Sequence, residues 1–143
     1  MVAGYRISTD GTEMDLDKIH AFIVQSYWAY GIPFEVMKKA IENSLCFGVF
    51  TKQGEQVGFA RMITDHATYA YLADVYVDKR HRSLGLAKWL MQVILDHPSL
   101  TGLRRIMLAT KDAHGLYNQF GFTPLNKPEI FMEKWNPDVY KNP

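Results

Sequence analysis

The sequence predicts an α/β (α+β) domain, and three observations carry that prediction. Runs of β-branched, aromatic and small apolar residues recur at strand length. Stretches with apolar residues at helical spacing separate several of them, and the resulting order is βααβββαβαβ. A chain of 143 residues, 48% of them hydrophobic, can bury one core and is too short for two ordinary ones, so residues 1–143 are read as a single domain.

Taken in order, Tyr5 to Ser8 is a short opening strand. Asp15 and Asp17 place negative charge at the start of a helix, where the dipole favours it, with Ile19, Phe22, Ile23 and Tyr27 on its apolar face. Gly31 and Pro33 break the pattern, and Phe34, Met37, Ala40 and Ile41 set up a second helix ending near Asn43. Leu45 to Thr51 and Gln56 to Thr64 form a strand pair around the polar, glycine-containing residues 52–55. Tyr69 to Val77 is the central strand, read as buried on both faces, with Asp74 its one charge.

From Leu84 onward, Ala87, Leu90, Met91 and Ile94 repeat at helical spacing until His97 and Pro98 interrupt them. Residues 104–110 supply a further strand, residues 112–120 a short helix stopped by Gly121, and Ile130, Phe131 and Met132 a final strand.

Between the central strand and the long helix lie Lys79, Arg80, His81, Arg82, Ser83 and Gly85. A helix N-terminus leaves backbone N–H groups unpaired and carries partial positive charge, so a tight cationic turn there suits a phosphate or pyrophosphate. Neither GxxxxGK[ST] nor GxGxxG occurs in it. Lysines and arginines number 16 against 15 acids, so this basic run is local and the chain as a whole gives no reason to expect nucleic acid or an acidic membrane as partner. No apolar run approaches the ~20 residues of a membrane span, and no signal-peptide core opens the chain. With Cys46 as the only cysteine, the expectation is a soluble, cytoplasmic protein without a disulfide. The five histidines are scattered without metal-ligand spacing, so no metal is expected, and no local motif joins Cys46 to a histidine and an acid as a hydrolase requires.

The turn Arg82-Ser83-Leu84-Gly85-Leu86-Ala87 resembles the Arg/Gln-x-x-Gly-x-Gly/Ala signature of the GCN5-related N-acetyltransferase (GNAT) superfamily. Ala113, Leu116, Tyr117, Gly121 and Phe122 resemble that family's Ala-x-x-Leu-Tyr-x-x-x-Gly-Phe segment, and the element order agrees over nearly the whole chain. The resemblance implies a mixed, largely antiparallel twisted sheet whose fourth and fifth strands are parallel and splay apart. It implies acetyl-CoA as co-substrate, with pyrophosphate on the loop of Arg82, Ser83, Leu84, Gly85, Leu86, Ala87 and Lys88. Pantetheine would run along the backbone of Val75, Tyr76 and Val77. Ser83 departs from a frequent glycine, which requires the loop to accept an ordinary φ there. Thr110 stands where many members carry asparagine.

Acyl transfer to an amine needs a neutral nucleophile, help for the oxyanion and a proton for the departing thiolate. The resemblance makes Tyr117 the proton donor; its other reading is a core aromatic sharing a helix face with Ala113, Leu116 and Phe120. Asp74 is either a general base in a cleft or a structural carboxylate paired with Arg61, with Glu35 and Asp65 as weaker substitutes for the base. Tyr27, Trp28, Tyr30 and Glu35 lie where the family lines its acceptor pocket, and rings with a carboxylate suit a small-molecule or peptide amine. The expected function is N-acetylation of a primary amine by direct attack in a ternary complex. The alternative is a non-catalytic acyl-CoA-binding or regulatory protein on the same fold. Homodimers are frequent in the family, which keeps a second copy among the expected partners.

Overall fold

The protein folds around a five-stranded sheet of order β1-β2-β3-β4-β5, in a computed structural model that describes residues 1–141. The strands are β1 (Tyr5–Ser8), β2 (Leu45–Thr51), β3 (Gln56–Thr64), β4 (Tyr69–Val77) and β5 (Arg105–Leu108). The first four pair antiparallel in sequence order, while β5 lies parallel to β4. This is the mixed, largely antiparallel sheet expected from the family resemblance.

Among the described residues four α-helices cover it: α1 (Leu16–Ile23), α2 (Phe34–Glu42), α3 (Leu86–Asp96) and α4 (His114–Asn118). Asp15 caps α1 by accepting from the Lys18 N–H, which supplies one of the four donors a helix start leaves orphaned. On one face of the sheet α1 and α2 bury Ile19, Ile23, Met37 and Ile41 against Cys46, Phe50, Phe59 and Tyr76. On the other, α3 buries Leu86, Leu90, Met91 and Ile94 against Phe47, Val57, Met62 and Leu72, and Tyr117 of α4 joins that core. Among the described residues no helix is long and apolar enough to cross a membrane.

The chain departs from the sequence expectations at several points. β4 alternates buried and half-buried residues, so it is not buried on both faces. The α1 helix ends at Ile23, leaving Tyr27 in an irregular stretch and off its apolar face. The expected strand at residues 104–110 shortens to Arg105–Leu108, and the expected helix at residues 112–120 to His114–Asn118. The final strand does not form: Pro128–Ile130 is a turn of 3-10 helix, and Phe131 to Asn136 carry no strand pairing. Periodicity marked these residues as strand-like, but a strand exists only where a partner supplies its hydrogen bonds.

A bulge in β4 places everything that follows. Phe59 faces Tyr76 and Arg61 faces Ala73, so Ala60 of β3 stands opposite both Asp74 and Val75. Asp74 is the extra residue and takes a left-handed φ of 57°. Before it, Ala70 and Leu72 point to the α3 core; after it the alternation is inverted, and Tyr76 points to the α1–α2 core. Pairing of β4 with β5 stops at Leu72, just before the bulge. Leu108, its partner, is the last residue of β5, so β4 runs on from Ala73 to Val77 with no β5 residue paired to it.

Candidate active site

The bulge aims a carboxylate into a partly aromatic cluster. Asp74 Oδ2 accepts from Arg61 Nε at 2.8 Å and Oδ1 accepts from Trp28 Nε1 at 2.8 Å. Arg61 also donates to Ser44 Oγ at 3.2 Å. Only 8% of the Asp74 side chain and 15% of the Arg61 side chain are exposed, so the pair is largely withdrawn from water and both carboxylate oxygens are engaged. That is the geometry of the structural alternative weighed for Asp74. Asp65 is also committed: it accepts from the N–H groups of Ala67, Thr68 and Tyr69 and from the Thr68 hydroxyl. The Thr68 contacts above all hold its carboxyl well below the usual range, which leaves it a poor base.

Trp28 meets Tyr27 edge to face, with ring centroids 5.1 Å apart. The Tyr27 hydroxyl accepts from the Lys111 N–H at 3.0 Å, and the Lys111 ammonium stands over its ring at 5.6 Å. Contacts therefore run from the bulge, through two aromatic rings, to the segment leaving β5. Tyr117 sits nearby in α4, almost fully buried. Burial, with smaller contributions from Tyr27 and Asp112, pushes its phenol above the ordinary tyrosine range. Tyr71 on β4 is shifted the same way, chiefly by burial and then by Tyr69 and Asp74. Tyr30 and Glu35 are exposed, and Glu35 opens α2.

At the end of β4 the chain makes a short 3-10 turn over Lys79–His81, capped by Asp78. His81 Nδ1 lies 2.7 Å from the Tyr5 hydroxyl, which ties the turn to β1. Ser83 and Gly85 follow with φ of 64° and 85°. The expectation of an ordinary angle at Ser83 is thus corrected: the serine adopts the conformation that glycine takes freely, at a cost of about 1–2 kcal/mol. Gly85 N-caps α3 without a side-chain hydrogen bond, so the first-turn N–H groups, those of Leu86, Ala87 and Lys88 among them, point into the turn unclaimed by a cap. Lys79 and Lys88 are exposed beside them, while Arg80 is paired with Asp78 and Glu55.

These donors suit a phosphate or pyrophosphate, and the eleven-residue α3 adds its dipole. The Leu86 side chain is buried in the core, so its contribution can only be its backbone, whereas Leu84 is half exposed. Arg82 Nε donates to the Val77 carbonyl at 3.1 Å, fastening the loop to the strand end. The stretch Val75, Tyr76 and Val77 has no β5 residue beside it, because pairing has ended at Leu72. The Tyr76 side chain stacks on Phe22 in the opposite core, which leaves its main chain for any ligand in the gap.

A mixed sheet with β4 and β5 parallel and flanking helices is the arrangement expected from the family resemblance. The acetyltransferase (GNAT) family profile matches residues 15–122, from the cap of α1 to Phe122. The chain belongs to the GNAT family. A Gibberella zeae protein named as a "putative acetyltransferase" is 33% identical over 137 residues, covering 80% of this chain and 76% of that one. A crystal structure from Xanthomonas campestris pv. campestris, described in the same words and as GNAT, matches with a TM-score of 0.94 at 47% identity. That match covers 98% of this chain and 99% of the other. A Deinococcus radiodurans R1 structure, at TM-score 0.75 and 20% identity over 98% of this chain and 94% of the other, shares the fold.

Within this GNAT domain the structure brings Tyr27, Trp28 and Asp74 into one cluster and keeps the loop of Arg82 to Lys88 as a separate one at the other end of the β4 gap. Sequence reasoning missed the Tyr27–Lys111 link, which spans 84 residues and has no local signal. It named Arg61 only as a partner for Asp74, and did not find the bulge that makes this pairing possible. A lone aspartate in an apolar strand was the available sign, since Asp is among the few residues that tolerate a left-handed φ.

Proposed function

We propose that this GNAT protein transfers the acetyl group of acetyl-CoA to a primary amine of a small-molecule or peptide acceptor, by direct attack in a ternary complex. The observation that carries this reading is the end of β4–β5 pairing at Leu72, which leaves the rest of β4 unpaired on that side between the Tyr27–Trp28–Asp74 cluster and the uncapped loop at Gly85. In this reading the N–H groups of α3's first turn hold the pyrophosphate and the main chain of Val75 to Val77 orients the pantetheine arm. The coenzyme supplies a thioester, which is electrophilic at carbonyl carbon and has thiolate as leaving group.

Tyr117 is the proton donor. A tyrosine phenol is protonated at neutral pH whatever its burial, so it can pass its proton to sulfur as the carbon–sulfur bond breaks. Asp74 is assigned to positioning, because its two oxygens are spent on Arg61 and Trp28. The acceptor's ammonium proton then goes to water, and the amine attacks as free base. Tyr27 and Trp28 wall the acceptor side, where their exposed faces suit an apolar or cationic group.

Calorimetric titration with acetyl-CoA and CoA, followed by thiol-release assays over an amine panel, tests the proposal. Micromolar-range binding with amine-dependent release is the expected result. Binding without release by any amine would favour the non-catalytic alternative, and absence of binding to folded protein would remove the coenzyme assignment. In Tyr117→Phe the single-turnover rate should fall about 100-fold while coenzyme affinity stays within about threefold. An unchanged rate would refute the donor role.

A further inference from the structure

The helix that carries Tyr117 is weakly held by its own sequence. α4 has five residues and no side-chain cap, and so short a helix takes its position from whatever grips its ends. Along one side His114, Tyr117 and Asn118 border a hollow of about 410 Å³, so packing does not brace it there. At its far end the Phe122 N–H donates to the Tyr117 carbonyl at 3.2 Å, and the two rings meet edge to face at 6.0 Å. At its start the Thr110 hydroxyl accepts from the Ala113 N–H at 3.0 Å and from that of Asp112 at 3.4 Å. The Ala113 carbonyl in turn accepts from the N–H groups of Leu116 and Tyr117.

The Tyr27 hydroxyl grips the same lead-in, accepting from the Lys111 N–H at 3.0 Å. It does so from a rigid mount. The buried Ser26 hydroxyl donates to the Ile23 carbonyl at 2.7 Å and accepts from the Ala29 N–H at 3.1 Å. The Gly31 N–H closes back on the Val24 carbonyl at 2.9 Å, and Trp28 is fastened to Asp74. Tyr27 itself is 56% exposed and belongs to neither core, so its hydroxyl bond is not needed to bury apolar surface. After burial, Tyr27 makes the largest contribution to raising the Tyr117 pKa, so the two phenols lie within each other's field.

We propose that the Tyr27 hydroxyl is a positioning group for acyl transfer: by holding the Lys111 N–H it fixes residues 110–113, and through them the place at which α4 presents the Tyr117 phenol to the departing sulfur. This role rests on the acyl-transfer reading above, in which Tyr27 serves only through its ring, as a wall of the acceptor side. A proton donor must come within hydrogen-bond reach of the atom it serves, and a displacement of about 1 Å costs up to about 100-fold in rate. Ring and hydroxyl therefore have separable duties. The ring meets the acceptor and enters KM, whereas the hydroxyl touches neither substrate and acts on kcat. The Thr110 hydroxyl, which grips the Ala113 N–H, belongs to the same brace.

Tyr27→Phe keeps the ring and deletes only the acceptor of the Lys111 N–H. Its single-turnover rate with acetyl-CoA and an amine from the panel should fall about 10-fold, with the KM for that amine within about twofold and coenzyme affinity and melting temperature at wild-type values. In a Tyr117→Phe background the same change should cost less than about twofold, because the group it positions is gone. Thr110→Val should reproduce the loss, and Thr110→Ser, which keeps the hydroxyl, should restore the rate. Without any substrate, amide exchange at Lys111 should quicken about fivefold in Tyr27→Phe and stay unchanged in Tyr117→Phe. An active wild type whose Tyr27→Phe rate is unchanged, a raised KM at constant kcat, or an equal loss in both backgrounds would overturn this inference alone. A wild type that acetylates no amine would overturn the acyl-transfer reading and this inference with it.

Discussion

Replacing Asp74 by Asn isolates the charge of the bulge residue. Asn tolerates the left-handed φ of 57° and retains an oxygen for Trp28 Nε1, so backbone and ring contact persist. What is lost is the 2.8 Å ion pair, and the Arg61 guanidinium stays in place with 15% exposure. Removing one partner of a buried pair costs about 3–5 kcal/mol. Ser44 still accepts from Arg61, and the side chain keeps some access to water, so the expected loss is about 2–3 kcal/mol. Asp74→Ala should lose about 2 kcal/mol more, since it also strains the left-handed backbone and leaves the indole N–H without its acceptor. Arg61→Gln alone should cost a similar amount to Asp74→Asn, and the double variant should cost less than the sum by about 1–2 kcal/mol. Urea unfolding of the four proteins measures the cycle. Stability of Asp74→Asn within about 0.5 kcal/mol of wild type, or additive single variants, would refute the buried-pair account. Acetylation by folded Asp74→Asn should fall less than about tenfold; a loss beyond about 100-fold would return Asp74 to the role of base.

Four further outcomes follow from the same geometry. Tyr71, Tyr76 and Tyr117 all have pKa values raised by burial, so above about pH 10 the unfolded chain loses phenolic protons that the folded chain retains; stability should fall as pH rises through that range, read by unfolding at stepped pH. Tyr76→Phe should reduce that alkaline loss and raise stability at pH 7 by about 1 kcal/mol, because the Tyr76 hydroxyl is buried without a hydrogen-bond partner; a destabilised variant would show that the hydroxyl is satisfied in solution. Ser83→Gly should keep coenzyme affinity within about threefold, whereas Ser83→Val, β-branched at a φ of 64°, should weaken it more than tenfold by calorimetry, and equal affinities would show that the loop geometry does not hold the phosphate. The Cys46 thiol, pushed up to about 12 by burial, should resist iodoacetamide at pH 8 in the folded protein and react at least 100-fold faster in urea, and rapid native alkylation would contradict its place in the core.

The strands β1 to β4 were legible in the sequence to the residue, because each is bounded by turn residues and carries apolar side chains that the sheet buries. The position of the turn between β4 and α3 was legible too, since a glycine between a strand run and an amphipathic helix marks a helix start, but the left-handed φ of Ser83 was not. Tertiary structure decided what depends on residues far apart. The bulge at Asp74 is a mismatch in count between β3 and β4, and no single strand records the count of its neighbour. The Tyr27–Lys111 and Trp28–Asp74 contacts join residues 84 and 46 positions apart through an irregular stretch that has no periodicity to read. At residues 129–135 the apolar pattern of a strand is present, but no strand pairs with it among the described residues. Side-chain pattern states what a segment can bury, and only the arrangement of the other elements determines whether anything lies there to bury it.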